Sequence, residues 1–343
     1  MQIFPVQQSS LRISMLLTTS RAISNIISRA TARQLLTAAS ILVSASVYAE
    51  NSVTTAIEGV VAQGTQIEFI KDKFEGTEGP SSLPDGSFIF TETRANRVTR
   101  IAEDSTTSTY FDNSNGTNGI AFTKKGEIVS VQNLKPQVGV VYPKGSEKVW
   151  ADNYQGKPFQ RPNDLVIDKS GGVYFTDIGV VPKGEITEPA RPAVYYVKAD
   201  GKITQLITDV ERPNGVQLSR DEKTLYLANT AGEYVLAYPV LGEGKLGARK
   251  EFAKLAGYEK GETGFSSGAD GLAIDNEGRL YVASNKGIEV FDEKGKALGI
   301  IPIPQKPQNL AFAGKDKKTL YVVGRGAAYK IAALTPGFKG RIK

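Results

Sequence analysis

Six copies of one short unit run through most of this chain, and no other feature restricts its fold as strongly. Each unit begins with a polar residue, continues with alternating apolar residues, turns at a glycine-rich or charged pair and ends in a second strand-like run. Aligning the turns brings one residue of each unit into a single column: Glu78, Asn118, Asn163, Asn214, Asp270 and Gln308. Their spacing of 38 to 56 residues is typical of four-stranded propeller blades.

The repeats therefore predict an all-β fold, a six-bladed β-propeller over residues 65–335. A β-sandwich, or a pair of sandwich domains, is the alternative, but neither requires six copies of one unit. The last unit contains only three strand-like runs, whereas TQIEFIKD precedes the first unit. We expect this N-terminal strand to complete the last blade and shield its edge. Residues 50–64 are expected to be a flexible N-terminal segment, and residues 336–343 a C-terminal tail.

Residues 1–49 differ from the rest of the chain. They contain four arginines but no Asp, Glu or Lys, and a short apolar run ends in small residues before Glu50. This pattern is typical of a secretory signal peptide cleaved after Ala49, with Met15 as an alternative start. An organelle-targeting peptide and an uncleaved anchor are the other interpretations. We expect a secreted or periplasmic monomer with no membrane or nucleic-acid partner after cleavage.

The absence of two residue types limits the chemistry. The chain has no histidine and no cysteine, which excludes imidazole bases, thiol nucleophiles, disulfides and the usual zinc ligands. Catalysis must therefore use carboxylates, Lys, Tyr, Ser or a hard cation bound by oxygen. The polar column supplies suitable oxygens, because the innermost strands of a propeller line its central channel. Glu78 and Asp270 would balance the charge of a divalent cation such as Ca²⁺.

Ordinary turn chemistry is the alternative explanation of the column. Asn-Gly and Asp-Gly pairs before a strand are common in turns, because both Asn and Asp tolerate unusual backbone dihedrals. The repeat weakens this alternative. Asn163 is followed by Asp and Asn214 by Gly, yet both keep the same column position after Arg-Pro.

The motifs EGP at 78–80, RPND at 161–164, PNG at 213–215 and ADG at 269–271 resemble those of the SMP-30/gluconolactonase/luciferin-regenerating enzyme (LRE)-like family. The resemblance covers about residues 70–335. It implies a six-bladed propeller with one catalytic divalent cation, most simply Ca²⁺, although Zn²⁺, Mn²⁺ or Mg²⁺ would also fit. The implied ligands are Glu78, Asn163, Asn214 and Asp270. Asp270 is also the implied catalytic base.

The resemblance implies a lactonase that opens a sugar lactone or another small lactone. Arg161 is the implied substrate-binding residue, and Asn118 is a further candidate because it lines the channel. Arg212 is expected only to support its strand. A phosphotriesterase-like or arylesterase-like hydrolase, or a non-enzymatic ligand-binding propeller, remain alternatives. Gln132-Asn133 departs from the Glu-His pair of similar bacterial gluconolactonases, and residues 179–193 are a candidate lid.

Overall fold

The computed structural model describes residues 53–180, 187–262 and 264–341. The predicted signal peptide, residues 1–49, lies outside the described residues. The described residues form β-strands, turns and loops, and no helix among them is long and apolar enough to cross a membrane. The all-β prediction is confirmed.

The strands form six small antiparallel sheets that correspond to the six repeats. The N-terminal strand is β1 (Ile67–Lys71). The first blade contains β2 (Thr77–Ser82), β3 (Phe88–Glu92), β4 (Arg97–Ile101) and β5 (Thr107–Asp112). The second blade contains β6 (Thr117–Phe122), β7 (Ile128–Gln132), β8 (Gln137–Tyr142) and β9 (Lys148–Ala151). A short hairpin then follows, with β10 (Asn153–Tyr154) and β11 (Lys157–Pro158).

The second half of the ring repeats this arrangement. The third blade contains β12 (Pro162–Ile167), β13 (Val173–Asp177), β14 (Ala193–Val197) and β15 (Ile203–Ile207). The fourth contains β16 (Pro213–Leu218), β17 (Thr224–Asn229), β18 (Tyr234–Gly242), β19 (Lys245–Leu246) and β20 (Lys250–Lys254). After the hairpin of β21 (Glu259–Gly261) and β22 (Gly264–Ser266), the fifth contains β23 (Leu272–Ile274), β24 (Leu280–Ser284), β25 (Gly287–Phe291) and β26 (Ala297–Ile301).

The ring closes as the sequence predicts. The sixth blade contains β27 (Asn309–Ala313), β28 (Thr319–Gly324) and β29 (Ala327–Ala332). Its fourth, outermost strand is β1, which pairs antiparallel with β29 through partners such as Ile67 and Ile331. Because the two ends of the propeller share one sheet, the edge of β29 is covered and the ring is held shut.

The hydrophobic core is divided among the blade interfaces. Within the described ranges, six clusters of buried side chains each join one blade to the next. Phe88 of the first blade, for example, stacks on Tyr321 of the sixth with ring centroids 4.5 Å apart. The alternating apolar residues of each repeat therefore bury both faces of a blade against its two neighbours, which explains why the repeat length is kept.

The N-terminal segment corrects one expectation. Residues 50–64 were expected to be flexible, but the described part from residue 53 packs against the fifth and sixth blades. Ile57, Val60 and Val61 are at most 4% exposed and belong to the cluster between these blades. Leu334 donates its backbone N–H to Val60 O at 2.9 Å. Burial of three aliphatic side chains holds this segment, and the sequence carries no strand signal for it because these residues do not follow the period of a strand.

The C-terminal tail crosses the end of the channel opposite the column. Phe338 donates its backbone N–H to Ile274 O at 3.1 Å, at the end of an innermost strand. Arg341 donates to Leu218 O at 2.6 Å and pairs with Glu222 at 3.2 Å. These contacts hold the tail against the fourth and fifth blades at the channel end opposite the column. The candidate site therefore lies at the other mouth, the one that bears the column.

Candidate active site at one mouth of the central channel

A bulge presents the column residues in the first four blades. There, the innermost strand has one more residue than its partner strand, and the irregularity falls at or directly after the column position. In the second blade, Thr117 pairs with Gln132, but the next pair is Ile120 with Ser130. Asn118 lies in this interval. A bulge redirects a side chain and commonly occurs beside a functional site. The bulge in each of these repeats therefore turns the polar column residue toward the channel.

Glycine after the column residue brings adjacent innermost strands close together. A Cβ on Gly79 would lie 1.9 Å from Asn118 O, and a Cβ on Gly215 would lie 2.1 Å from Asp270 O. Both distances are far below van der Waals contact, so no other residue fits without moving the strands. The sequence pairs Glu-Gly, Asn-Gly and Asp-Gly therefore serve the packing of the ring as well as the turns.

Contacts link the column residues of neighbouring blades. Threonines in or directly after the second strands of three blades donate to the backbone at or just before the next innermost strand: Thr91 to Asn118 O at 3.0 Å, Thr176 to Asn214 O at 2.8 Å and Thr230 to Ala269 O at 2.7 Å. Gly271 donates its N–H to Gln308 O at 2.8 Å, and Gln308 Nε2 donates to Glu78 Oε1 at 3.0 Å. The column residues of the six repeats thus converge on one mouth of the channel.

The four implied ligands all lie in this ring. Glu78, Asn163 and Asn214 are 6 to 8% exposed within their innermost strands. Asp270 is half-buried and lies just before β23, with its backbone N–H donated to Ala283 O at 3.0 Å. Asn118, the additional channel residue, is 5% exposed. The structure therefore groups these residues as the sequence predicts, and their roles as ligands stay predictions.

Negative charge accumulates at this mouth. Burial, and then repulsion from Asp164, raise the pKa of Asp270 to about 7. Burial, and then the charge of Asp270, also raise the pKa of Glu78 well above its ordinary value. Three carboxyl groups that repel one another in a buried space favour a positively charged partner. Asp164 belongs to this group, and its Oδ2 accepts the backbone N–H of Val216 at 3.0 Å.

Acceptor oxygens without donors also fit a cation. Oδ1 of Asn118, of Asn214 and of Asp270 is buried and accepts no hydrogen bond from another described residue. The amide of Asn214 is oriented, because its Nδ2 donates to Thr230 Oγ1 at 3.1 Å. Buried acceptors normally have a donor, and carboxylate and amide oxygens are the donor set of a hard cation. The residues present therefore fit a divalent cation of this kind.

This donor set is poorer in carboxylates than many metal sites. Among the described residues, no three His, Cys, Asp or Glu side chains lie close enough to hold a metal by themselves. A cation here would depend on amide oxygens as well as on Glu78 and Asp270. Both Glu78 oxygens face amides, since Asn309 Nδ2 lies 3.5 Å from Oε2. Mixed carboxylate and amide oxygens of this kind suit a hard divalent cation.

Arg161 is exposed at the rim of the mouth. Its backbone N–H is held by Asp177 Oδ1 at 2.8 Å, and its guanidinium forms no ion pair with another described residue. A role in substrate binding stays a prediction. The cations that act most strongly on Asp270 are others. Lys306, Arg325 and Arg212 oppose the rise in its pKa, in that order.

Sequence reasoning overlooked part of this cationic group. Arg212 was expected only to support its strand, and Lys306 and Arg325 were not considered. One signal for Lys306 was present, because KPQN at 306–309 follows the pattern of RPND and RPNG. Arg325 lies in a turn of the last blade with a φ of 51° and donates its backbone N–H to Gln308 Oε1 at 2.8 Å. Nothing local in the sequence marked that turn as part of the mouth.

Gln132-Asn133, which stand where similar gluconolactonases have a Glu-His pair, differ in their contacts, and those of Gln132 explain its presence. Gln132 is buried, and its Oε1 accepts from Asn115 Nδ2 and Gln137 Nε2, each at 2.8 Å. Gln132 therefore joins the loop before β6 to the first residue of β8. Asn133 differs, because its buried Oδ1 accepts no hydrogen bond from the described residues. Its amide adds a further polar group to the second blade's loop.

The candidate lid is only partly described, since residues 181–186 lie outside the described residues. Its two ends are tied to one side chain, because Gln160 Oε1 accepts from Arg191 N at 2.8 Å and Val180 N at 3.3 Å.

Two short hairpins, β10–β11 and β21–β22, each precede an innermost strand. In the second, exposed Phe265 stacks on Tyr258 with ring centroids 5.5 Å apart.

Comparisons with known proteins agree with this architecture. The family profile described as "SMP-30/Gluconolactonase/LRE-like region" matches residues 76–325. A gluconolactonase of Zymomonas mobilis is 28% identical over 82% of this chain and 85% of its own length.

Solved structures share the fold. A putative gluconolactonase superposes with a TM-score of 0.71 at 24% identity, covering 82% of this chain and 96% of its own. A structure described as a calcium-binding protein, regucalcin, from Agrobacterium tumefaciens superposes with a TM-score of 0.64 at 18% identity, covering 80% and 96%. The family profile spans most of the chain, and the repeats, the closed ring and the polar mouth agree with it. The protein therefore belongs to the SMP-30/gluconolactonase/LRE-like family.

Proposed function

We propose that this protein is a hydrolase that opens small lactones, most simply sugar lactones, with the help of one divalent cation at the channel mouth. Its gluconolactonase relative supports lactone hydrolysis. The observation that carries the dependence on a cation is the set of buried Oδ1 atoms of Asn118, Asn214 and Asp270 that accept no hydrogen bond from described residues. Glu78, Asn163, Asn214 and Asp270 would hold the cation, with Ca²⁺ the best match to these oxygens.

Lactone hydrolysis requires an activated carbonyl and a water that loses a proton. The bound cation would supply Lewis-acid polarisation of the ring carbonyl. Asp270 would accept the proton of the attacking water, and its buried Oδ1, which accepts no hydrogen bond from another described residue, supports this role. A bond forms between the water oxygen and the carbonyl carbon, and the ring C–O bond breaks. The proton taken by Asp270 then passes to the departing ring oxygen.

Neighbouring residues keep these groups in place. Thr230 holds the amide of Asn214 and the carbonyl of Ala269, directly before Asp270. Gln308 and Asn309 orient Glu78 from the sixth blade. Asp177 holds the loop that carries Arg161 at the rim. Preorganised groups of this kind lower the cost of reaching the transition state.

The proposal is tested by assaying glucono-lactone hydrolysis with the chain from Glu50 onward. Chelator should abolish hydrolysis, and addition of Ca²⁺, Mg²⁺, Mn²⁺ or Zn²⁺ in turn should identify the ion that restores it. Asp270→Asn should reduce kcat by at least about 100-fold, as expected when a general base is lost. Asp200→Asn, at an exposed turn of the third blade, is the matched control and should retain activity.

Retained hydrolysis in chelator, together with an active Asp270→Asn variant, would refute this assignment. A second readout does not depend on turnover. Saturating Ca²⁺ at about 100 times its dissociation constant should stabilise the wild-type fold by about 2.7 kcal/mol, and Asn163→Ala should diminish this gain.

We also infer that residues 1–49 direct export and are removed. The apolar run followed by small residues before Glu50 supports this inference. Amino-terminal sequencing of the protein recovered from outside the cytoplasm should begin at Glu50, and recovery of the intact chain from the cytoplasm would contradict it.

A further inference from the structure

Unpaired cations collect at the channel mouth. Most arginines in the described ranges form an ion pair with Asp or Glu, and those that form none with a described residue are Arg94, Arg161, Arg212 and Arg325. All four lie in loops at the end of the propeller that bears the polar column, either before an innermost strand or between the second and third strands of a blade. Every described arginine away from this end of the propeller has an acidic partner, whereas these four on the column side have none among the described residues.

Three cations lie in loops that meet beside the fifth blade. Lys306 and Arg325 come from the sixth blade, where a Cβ on Gly324, next to Arg325, would lie 2.4 Å from Lys306 O. Arg212 comes from the fourth blade, where its carbonyl accepts the backbone N–H of Thr230 at 3.0 Å, and Gly268 of the fifth blade donates its own N–H to Thr230 O at 3.2 Å. Lys306 reaches across the blade boundary. A Cβ on Gly268, two residues before Asp270, would lie 2.7 Å from Lys306 Nζ. Its ammonium group is held in place by a hydrogen bond to Asn285 Oδ1.

The three positive charges crowd one another. Burial, and then the charges of Arg325 and Arg212, lower the pKa of Lys306. Glu259, the acid that acts on Lys306 besides Asp270, is itself engaged by Lys286 at 2.6 Å. If Glu78 and Asp270 balance a bound cation, the charges of Lys306, Arg325 and Arg212 stay uncompensated. Grouping like charges costs free energy, which a bound anion would offset.

From this placement we infer that the mouth selects lactones carrying a second, anionic group, a carboxylate or a phosphate, bound by Arg212, Lys306 and Arg325. This inference rests on the proposed lactone hydrolysis and specifies its substrate class. The ring carbonyl would face Asp270 while the anionic end lies toward the fourth and sixth blades. The two guanidinium groups suit this task, because their planar donors match the oxygens of a carboxylate or a phosphate.

The test compares lactones that differ in one substituent. Glucono-γ-lactone ends in a neutral hydroxymethyl group, which glucaro-γ-lactone replaces by a carboxylate and a phosphorylated gluconolactone by a phosphate ester. For the wild type, we expect kcat/KM to be at least about tenfold higher for one of the charged lactones than for the neutral lactone. The preferred charged lactone identifies the anion. The preference should also shrink as salt increases, because exposed charges are screened.

Variants locate the effect. Arg325→Gln, Lys306→Gln and Arg212→Gln should each reduce the ratio of kcat/KM for the charged over the neutral lactone by about three- to tenfold, mainly through KM. Lys135→Gln is the matched control. It removes an exposed cation from a second-blade loop at the same face, across the ring from the fifth blade, and should leave the ratio unchanged.

Two failures are distinguishable. If the wild type hydrolyses the neutral and charged lactones equally well, and the ratio is unaffected by the three substitutions, the inference is refuted while the proposed function stands. If it hydrolyses none of the lactones with any of the cations tested, the proposed function fails and the substrate class falls with it. Calorimetric titration with glucarate gives a result without turnover, and equal affinity in wild type and Arg325→Gln would contradict the anion site.

Discussion

Lys317 should destabilise the folded protein at neutral pH, so its replacement by Met should stabilise it. Lys317 lies in the turn between β27 and β28, at the channel end opposite the column, and Gly337 of the C-terminal tail donates to its carbonyl at 2.9 Å. Its ammonium group forms no hydrogen bond or ion pair with another described residue. Burial, with a smaller effect of the Lys339 charge, lowers the pKa of Lys317 from 10.5 to about 8.

The size of the effect follows from this pKa. Each pKa unit corresponds to about 1.4 kcal/mol, so the fall from 10.5 to about 8 sets an upper limit of about 3.5 kcal/mol for the destabilisation by the charged form. Partial contact with water reduces it, and we expect Lys317→Met to gain about 1 to 3 kcal/mol at pH 7. Met is also long and unbranched, so the positive φ of 57° at this position should cost both residues a similar amount.

The direction in which stability changes with pH follows from the lowered pKa of Lys317. Below pH 8 both the folded and the unfolded chain bind the proton, so the destabilisation is fully present. Between pH 8 and 10.5 the folded state releases the proton while the unfolded chain retains it, and the wild type gains stability as pH rises. The advantage of Lys317→Met should therefore be full at pH 7 and small at pH 10.

Thermal unfolding at the two pH values measures this difference. One kcal/mol corresponds to about 2 to 4 °C in Tm for a chain of this size, so a gain of several degrees is expected at pH 7. Lys315→Met, at an exposed position of the same turn, is the control and should change Tm little. A lower Tm for Lys317→Met at pH 7, or an equal gain at both pH values, would refute the reasoning.

Two further predictions concern the channel mouth. Gly215→Ala should lower Tm and reduce lactone hydrolysis by at least about tenfold, because the added Cβ would lie 2.1 Å from Asp270 O and must displace that strand; Gly261→Ala, where the nearest atom is 3.7 Å away, is the control for activity and Tm. Thr230→Val should weaken Ca²⁺ binding by about 10- to 100-fold in a calorimetric titration, because Asn214 loses the partner that orients its amide. Unchanged affinity would show that Asn214 needs no such support.

The fold was predictable because its signal is repeated. The repeated amphipathic unit predicts the structure of one blade, and its six copies predict the number of blades. Each copy shows the same alternation of buried and polar positions. The strand near residue 67 was recognisable as the missing strand of the last blade, since a three-stranded unit leaves an edge exposed. The packed segment around Val60 was not, because three aliphatic residues in a polar stretch carry no period.

The site was predictable only where it follows the repeat. Glu78, Asn163, Asn214 and Asp270 occupy equivalent positions in the repeats, so the repeat pattern alone predicts that their side chains share one mouth. Only the folded chain shows what lies around them. It adds the charge of Asp164, and it brings Lys306, Arg325 and Arg212 around Asp270 from two different blades. The physical reason is that repeats fix distances along each strand, whereas electrostatic neighbours depend on loops from adjacent blades that meet only when the ring closes.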